Sequence, residues 1–171
     1  NVPGLDVACS LGLLTADQAK ELADAGVHRY NHNLEAPQSY FDRVCTTHTW
    51  EDRRRTCELV VEHGMQLCSG GIIGLGETRE QRVEFAFELA ELDPCEVPIN
   101  FLNAIAGTPL YGRQPDLSPL EALKIIALYR FMLPEKELKI AGGREKILRD
   151  MQSWIFFAGG SSFLIGNYLT T

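Results

Sequence analysis

Short apolar runs alternate with longer stretches of helical periodicity along the chain, and this alternation predicts the fold. Residues 5–9 read as a strand. They lead into a helix with Thr15 as N-cap, with Leu14, Ala19, Leu22 and Ala23 on one face and Gly26 as its stop. Residues 27–33 read as the next strand, and after a loop through Pro37 and Cys45 a helix runs from Thr49 to His63, closed by Gly64. A buried strand at 65–68 follows. A helix over 78–92 carries Val83, Phe85, Ala86, Leu89 and Ala90 and ends at Asp93-Pro94. Residues 97–102 form the fourth strand, and Ser118-Pro119 opens a helix to about Met132. The fifth strand is 138–141, a last helix covers 145–157, and 162–165 reads as a short sixth strand.

Strand and helix alternating in this way build a parallel sheet, so the fold class is α/β. A closed eight-stranded barrel typically needs about 250 residues, so five to six strands predict the later part of a (β/α)8 barrel of the TIM type. An independent open sheet is the alternative. The 171 residues are treated as a single domain, long enough to bury a real core.

Charge narrows the partners. Sixteen Lys+Arg against 23 Asp+Glu give a net charge of −7, so no field draws the chain to nucleic acid or anionic lipid. No uncharged run approaches the roughly 18 residues of a membrane span, and the first residues, Asn1 to Asp6, show no export signal. The odd, widely spaced cysteines (Cys9, Cys45, Cys57, Cys68, Cys95) argue against a disulfide framework, and a cytoplasmic location is expected. The chain starts abruptly, as a piece of a longer one would.

In parallel α/β folds, ligands meet the carboxyl ends of the strands. This sequence places polar residues there: Cys9; Asn31, His32, Asn33 and Glu35; Cys68 with Gly70 and Gly71; Asn100 and Asn103; Lys139 with Arg144; Asn167 with Thr170. If extended, Asn31, Asn33 and Glu35 share one face, where two amides and a carboxylate suit hydroxyls and ureido groups, or simply cap a loop. His32, on the other face, reads as a core histidine. Residues 70–77, Gly-Gly-Ile-Ile-Gly-Leu-Gly-Glu, bring bare backbone to a flat ligand or form an ordinary βα turn. Cys57 and Cys95 read as small hydrophobes, whereas Cys9, Cys45 and Cys68 are candidates for an iron-sulfur cluster. Lys139 is either a Schiff-base nucleophile or a paired lysine.

Taken together, Tyr30 to Glu35, Thr46 to Thr49, Cys68 to Thr78, Val97 to Asn100, Gly107 to Pro109, Gly143 to Glu145 and Gly166 to Thr171 closely resemble the biotin synthase family of radical S-adenosylmethionine enzymes. The resemblance runs over essentially the whole chain. It implies a (β/α)8 barrel and sulfur insertion into dethiobiotin to close the thiophane ring. It further implies S-adenosylmethionine, a radical-generating [4Fe-4S] cluster, an auxiliary sulfur-donating cluster such as [2Fe-2S], an electron donor such as flavodoxin or ferredoxin, and a homodimer. By match to the family's motifs, Asn33, Glu35 and Arg53 contact S-adenosylmethionine, Ile72 contacts its adenine, and Asn31, Asn33, Asn100, Thr170 and Thr171 hold dethiobiotin. Cys68 is implied as the ligand of the sulfur-donating cluster, and so as the catalytic residue.

The sequence departs from that pattern in two ways. The Cys-x-x-x-Cys-x-x-Cys motif of the radical-generating cluster is not in this chain; in relatives it lies upstream, so a carboxyl-terminal portion, inactive alone, is expected. The family pattern also has a cysteine where Ala8 stands and an arginine where Lys139 stands. Cys9, Cys45 and Cys68 are therefore expected to bind an auxiliary cluster of altered type. Alternation sets Ala8 and Cys9 on opposite faces, so Cys9 reaches the barrel interior only where the strand has ended or bulged. The alternatives are another radical S-adenosylmethionine enzyme of the same barrel group, and a non-catalytic small-molecule binding module.

Overall fold

The computed structural model describes residues 4–113 and 115–165, so Asn167, Thr170 and Thr171 lie outside the described residues. Its elements are β1 (Ala8–Cys9), α1 (Ala16–Asp24), β2 (Arg29–Asn31), α2 (Gln38–Phe41), α3 (Trp50–Glu62), β3 (Gln66–Cys68), β4 (Gly71–Ile73), α4 (Arg79–Leu92), β5 (Glu96–Phe101), α5 (Pro119–Met132), β6 (Glu137–Ile140), α6 (Arg144–Leu148) and β7 (Ser162–Phe163). Three helices start on the same device. Thr15, Thr49 and Thr78 accept from the backbone of Gln18, Asp52 and Gln81, whose side chains reach back to the cap. Ser118 caps α5, with Pro119 in the first turn.

All strand pairs are parallel, in the order β1-β2-β3-β5-β6-β7, with β4 beside β5. Strand order follows chain order without reversal, and right-handed crossovers then put every helix on one face. This is the singly wound sheet of a barrel, and it decides against the two-sided open sheet. No helix among the described residues is long and apolar enough to cross a membrane.

The sheet's two faces differ in chemistry. Tyr30, Leu67, Val97, Leu138 and Ile140 are buried under the helices, with Phe85, Leu89, Ile126 and Tyr129 among the side chains packed there. Their strand neighbours Arg29, Asn31, Gln66, Cys68, Glu96 and Lys139 turn to the other face. A polar inner face and an apolar outer one position a site inside the barrel.

Several elements differ from the sequence-based expectation. Residues 71–73, read as part of a glycine turn, form β4, and the registers Cys68↔Glu96 and Gly71↔Ile99 share one offset, so 66–73 is one strand interrupted at Ser69-Gly70. Glycine is required there because a Cβ on Gly70 would lie 2.0 Å from the Pro98 carbonyl oxygen, and one on Gly71 2.5 Å from that of Glu35. The last helix is shorter than expected: α6 gives way to a 3-10 segment, Arg149–Ile155. The short helix α2 has no sequence signal beyond Pro37 at its start.

Candidate functional site

At the carboxyl ends of β2, β4, β5 and β6, a cavity of about 300 Å³ is lined by Asn33, Glu35, Ile72, Asn100 and residues of the 101–105 and 142–143 loops. Asn33, Glu35, Ile72, Asn100 and Asn103, all singled out from sequence, thus meet in one place. The pairing between β2 and the 66–73 strand slips by one residue, from Asn31↔Cys68 to Glu35↔Gly71, which is the accounting of a β-bulge. Glu35 ends that bulge at a φ of 71°, in the left-handed region, with its N–H on Gly70 O and its carbonyl accepting from Ile72. The bulge aims its carboxylate into the cavity mouth.

Glu35 is held there by neighbours. Asn33 Nδ2 lies 3.4 and 3.5 Å from its two oxygens, and Arg53 Nη1 lies 4.0 Å away. Burial pushes the Glu35 carboxyl above the usual range, against the pull of Arg53 and Asn33. Arg53 does not line the cavity; Nη1 donates to the Asn33 carbonyl at 2.8 Å and Nε donates to His48 Nε2 at 2.8 Å. It props the wall from behind. Asn33 Oδ1 accepts from Gly70 N, while Asn100 donates to Gly71 O and accepts from Gly142 N, so both amides also tie the strand ends together.

The remaining site expectations fall differently. Asn31 turns to β1, donating to Ser10 Oγ at 3.1 Å, and is not among the cavity's walls. His32 is a core histidine as expected: it is buried, and burial, together with Arg53 and His48, pushes it down to about 4. Lys139 is a paired lysine, its Nζ donating to Glu96 Oε2 at 2.6 Å.

The three thiols expected to share a cluster are not brought together. Cys68 is on the inner face and donates to Glu96 Oε1 at 3.2 Å; burial, reinforced by that carboxylate, pushes its thiol up. Cys9 pairs in regular register with Tyr30, without the bulge that would turn it inward, and packs against the apolar outer core. Cys45 belongs to the loop between α2 and α3, against Thr47 and His48. Among the described residues, no group of three or more His, Cys, Asp or Glu side chains stands close enough to hold a metal ion.

Two functional candidates escaped the sequence reading. Glu96 is 4% exposed and joins Cys68, Lys139 and Arg29, yet the expected strand began one residue after it. Glu77 is buried and accepts from the N–H groups of Gly74 and Gly76 and from Arg82 Nε at 2.7 Å, which folds the glycine turn. A carboxylate closing a glycine run was the available signal. A larger cleft of about 730 Å³ opens beside that turn; of its charged lining, Arg82 pairs with Glu77 and Arg79 with Glu121, and Arg113 and Asp116 also line it.

A family model described as Radical SAM superfamily matches residues 3–89, and one described as Biotin and Thiamin Synthesis associated domain matches residues 98–171. The chain is 52% identical over 168 residues to the biotin synthase of Geotalea daltonii, covering 98% of this chain and 51% of that protein. To the biotin synthase of Bacillus cytotoxicus it is 53% identical over 167 residues, covering 98% and 50%. The chain therefore spans about half the length of the curated relatives it matches. Among solved structures, methylornithine synthase superposes with a TM-score of 0.80 at 21% identity, over 94% of this chain and 47% of that one, a likeness of fold.

Proposed function

We propose that this chain, which belongs to the radical SAM superfamily, forms the S-adenosylmethionine- and substrate-facing wall of a biotin synthase, the enzyme that inserts sulfur into dethiobiotin. The observation that carries this reading is the single cavity in which Asn33, Glu35, Ile72 and Asn100 meet. Those residues fit S-adenosylmethionine. Glu35 offers a desolvated carboxylate to hydroxyl or amino hydrogens, and Ile72 offers an apolar wall to a flat adenine. When bound, S-adenosylmethionine supplies the radical precursor. Asn33 and Asn100 line the same cavity and would offer the ureido substrate what hydrogen-bonding capacity their contacts to the strand ends leave, and Arg53 holds the Asn33 carbonyl from behind.

The iron-sulfur clusters fit less well. The sequence lacks the Cys-x-x-x-Cys-x-x-Cys motif, and Cys68 stands beside a carboxylate rather than beside further thiolates. The chain alone is accordingly proposed to bind ligand without turning it over. The whole protein is proposed to be a cytoplasmic homodimer served by flavodoxin or ferredoxin, a reading supported by the similarity to biotin synthases and by five free cysteines.

Calorimetric titration with S-adenosylmethionine and, separately, with dethiobiotin tests the site. Asn33→Ala and Ile72→Asp are expected to weaken S-adenosylmethionine binding by about tenfold or more, roughly 1.4 kcal/mol, and Asn100→Ala to weaken dethiobiotin. Unchanged affinities in variants that remain folded would sink the assignment.

A further inference from the structure

We propose that Lys146 and Asn103 together bind the carboxylate of the ligand in the cavity of about 300 Å³; resting on the function proposed above, that group is the carboxylate tail of dethiobiotin. Lys146 Nζ donates to Asn103 Oδ1 at 2.5 Å, reaching from α6 to the loop after β5. An ammonium can only donate, so Asn103 must turn its oxygen to Lys146, which leaves the amino branch of the amide as a donor. Nζ itself keeps two further N–H bonds. Among the described residues, neither these nor the Asn103 Nδ2 hydrogens meet an acceptor, and no carboxylate pairs with Lys146. Glu145, its neighbour in sequence, pairs with Arg144 at 3.6 Å instead. Unspent donors from two separate loops therefore gather at one lip of the cavity. An ionised carboxylate is a stronger acceptor for such a set than any neutral oxygen.

The fold fixes this lip in place. Asn103 is half-buried and is itself a wall of the cavity, three residues beyond Asn100. Gly142 and Gly143 line the cavity as well and lead directly into α6. Gly143 has a φ of 75°, and a Cβ there would lie 1.9 Å from the Phe101 carbonyl oxygen, so the start of α6 rests on the end of β5. Lys146 stands exposed just outside the wall and meets the cavity through Asn103.

The two sides of the cavity differ in polarity. Glu35, Gly71, Ile99 and Ile140 lie side by side on successive strands, so three strand spacings, about 14 Å along the sheet, separate Glu35 from the end of β6. Glu35 supplies an acceptor at one side, and Lys146 with Asn103 supplies donors at the other. Asn100 belongs to the donor side, where it accepts from Gly142 N. The ureido acid, assigned to Asn100, therefore has its tail nearer this lip than S-adenosylmethionine, assigned to Glu35 and Ile72, has its own carboxylate.

Calorimetric titration of the intact chain with dethiobiotin and with its methyl ester, which keeps the ureido ring and loses the charge, tests the assignment. Lys146→Gln is expected to weaken dethiobiotin about fivefold and to leave the ester and S-adenosylmethionine unchanged, with Lys146→Arg close to the parent. Added salt should narrow the gap between acid and ester. Equal loss for acid and ester overturns the proposal, as does a loss confined to S-adenosylmethionine. An unchanged affinity for the acid in Lys146→Gln also overturns it; where Asn100→Ala still weakens dethiobiotin, the function proposed above stands and this inference alone falls. A parent chain that binds no dethiobiotin overturns both.

Discussion

Lys139 Nζ lies 2.6 Å from Glu96 Oε2, across the junction of β6 and β5. The Glu96 side chain is only 5% exposed, and its second cation, Arg29, stands farther off at 3.4 Å. A buried carboxylate that loses its near partner keeps its desolvation cost without the compensating charge. Lys139→Met is therefore expected to destabilise the chain by about 1–3 kcal/mol, with Lys139→Arg losing less than half of that. Urea denaturation monitored by circular dichroism decides it, and equal stability of the Met variant and the parent chain would contradict the pairing.

The glycine turn after β4 rests on Glu77 in the same way. Its side chain is 2% exposed and serves two backbone N–H groups and the Arg82 guanidinium at once. Glu77→Ala orphans both N–H groups and leaves Arg82 only the more distant Glu121, 3.8 Å away, and is expected to cost about 3–5 kcal/mol, whereas Glu77→Gln retains an acceptor and costs less. Hydrogen exchange at the Gly74 and Gly76 amides gives a local reading: both should lose protection in the Ala variant before the sheet does.

Strand succession and helix starts were legible in the sequence because each rests on a local signal, period or cap residue, and Asn33, Glu35 and Asn100 were singled out by their position at strand ends, whereas Ile72 came only from the family resemblance. Placements set by register were not. Ala8 and Cys9 differ by one residue, yet only the pairing Cys9↔Tyr30 decides which of them faces the barrel. The same holds for the slip at Glu35, which a sequence cannot display because it is a relation between two strands. Gly70 and Gly71 were read either as bare backbone for a ligand or as an ordinary βα turn; their near neighbours are the backbones of Pro98 and Glu35.

Stability should also depend on pH through Glu88. Its Oε1 accepts from Gln38 N at 3.0 Å, its Oε2 is buried without a partner, and burial pushes the carboxyl from 4.5 up to about 7. Glu84 on the same helix adds like charge, and Arg54 of α3 partly offsets it. The folded chain thus holds a proton that the unfolded chain releases near pH 4.5, and the stability this contributes is full below that pH and is lost as pH rises through about 7. Glu88→Gln mimics the protonated acid, so denaturation curves at pH 5, 6, 7 and 8 should show a fall in the parent chain that flattens in the variant. A parallel fall in both would assign the dependence elsewhere.

Arg53 offers the sharpest separation of site from scaffold. Its guanidinium divides two donors between His48 Nε2 and the Asn33 carbonyl, both at 2.8 Å, while lying 4.0 Å from Glu35. A lysine carries the same charge but presents a single ammonium, which cannot span both acceptors in the geometry of the planar fork. Arg53→Lys should therefore leave global stability within about 1 kcal/mol, since other contacts anchor α3 to the core. S-adenosylmethionine binding, on the reading proposed above, should weaken by about tenfold as the Asn33 wall loosens. Calorimetric titration beside a urea melt separates the two effects: lost affinity with retained stability supports a positioning role, and intact affinity in a stable variant removes Arg53 from the site.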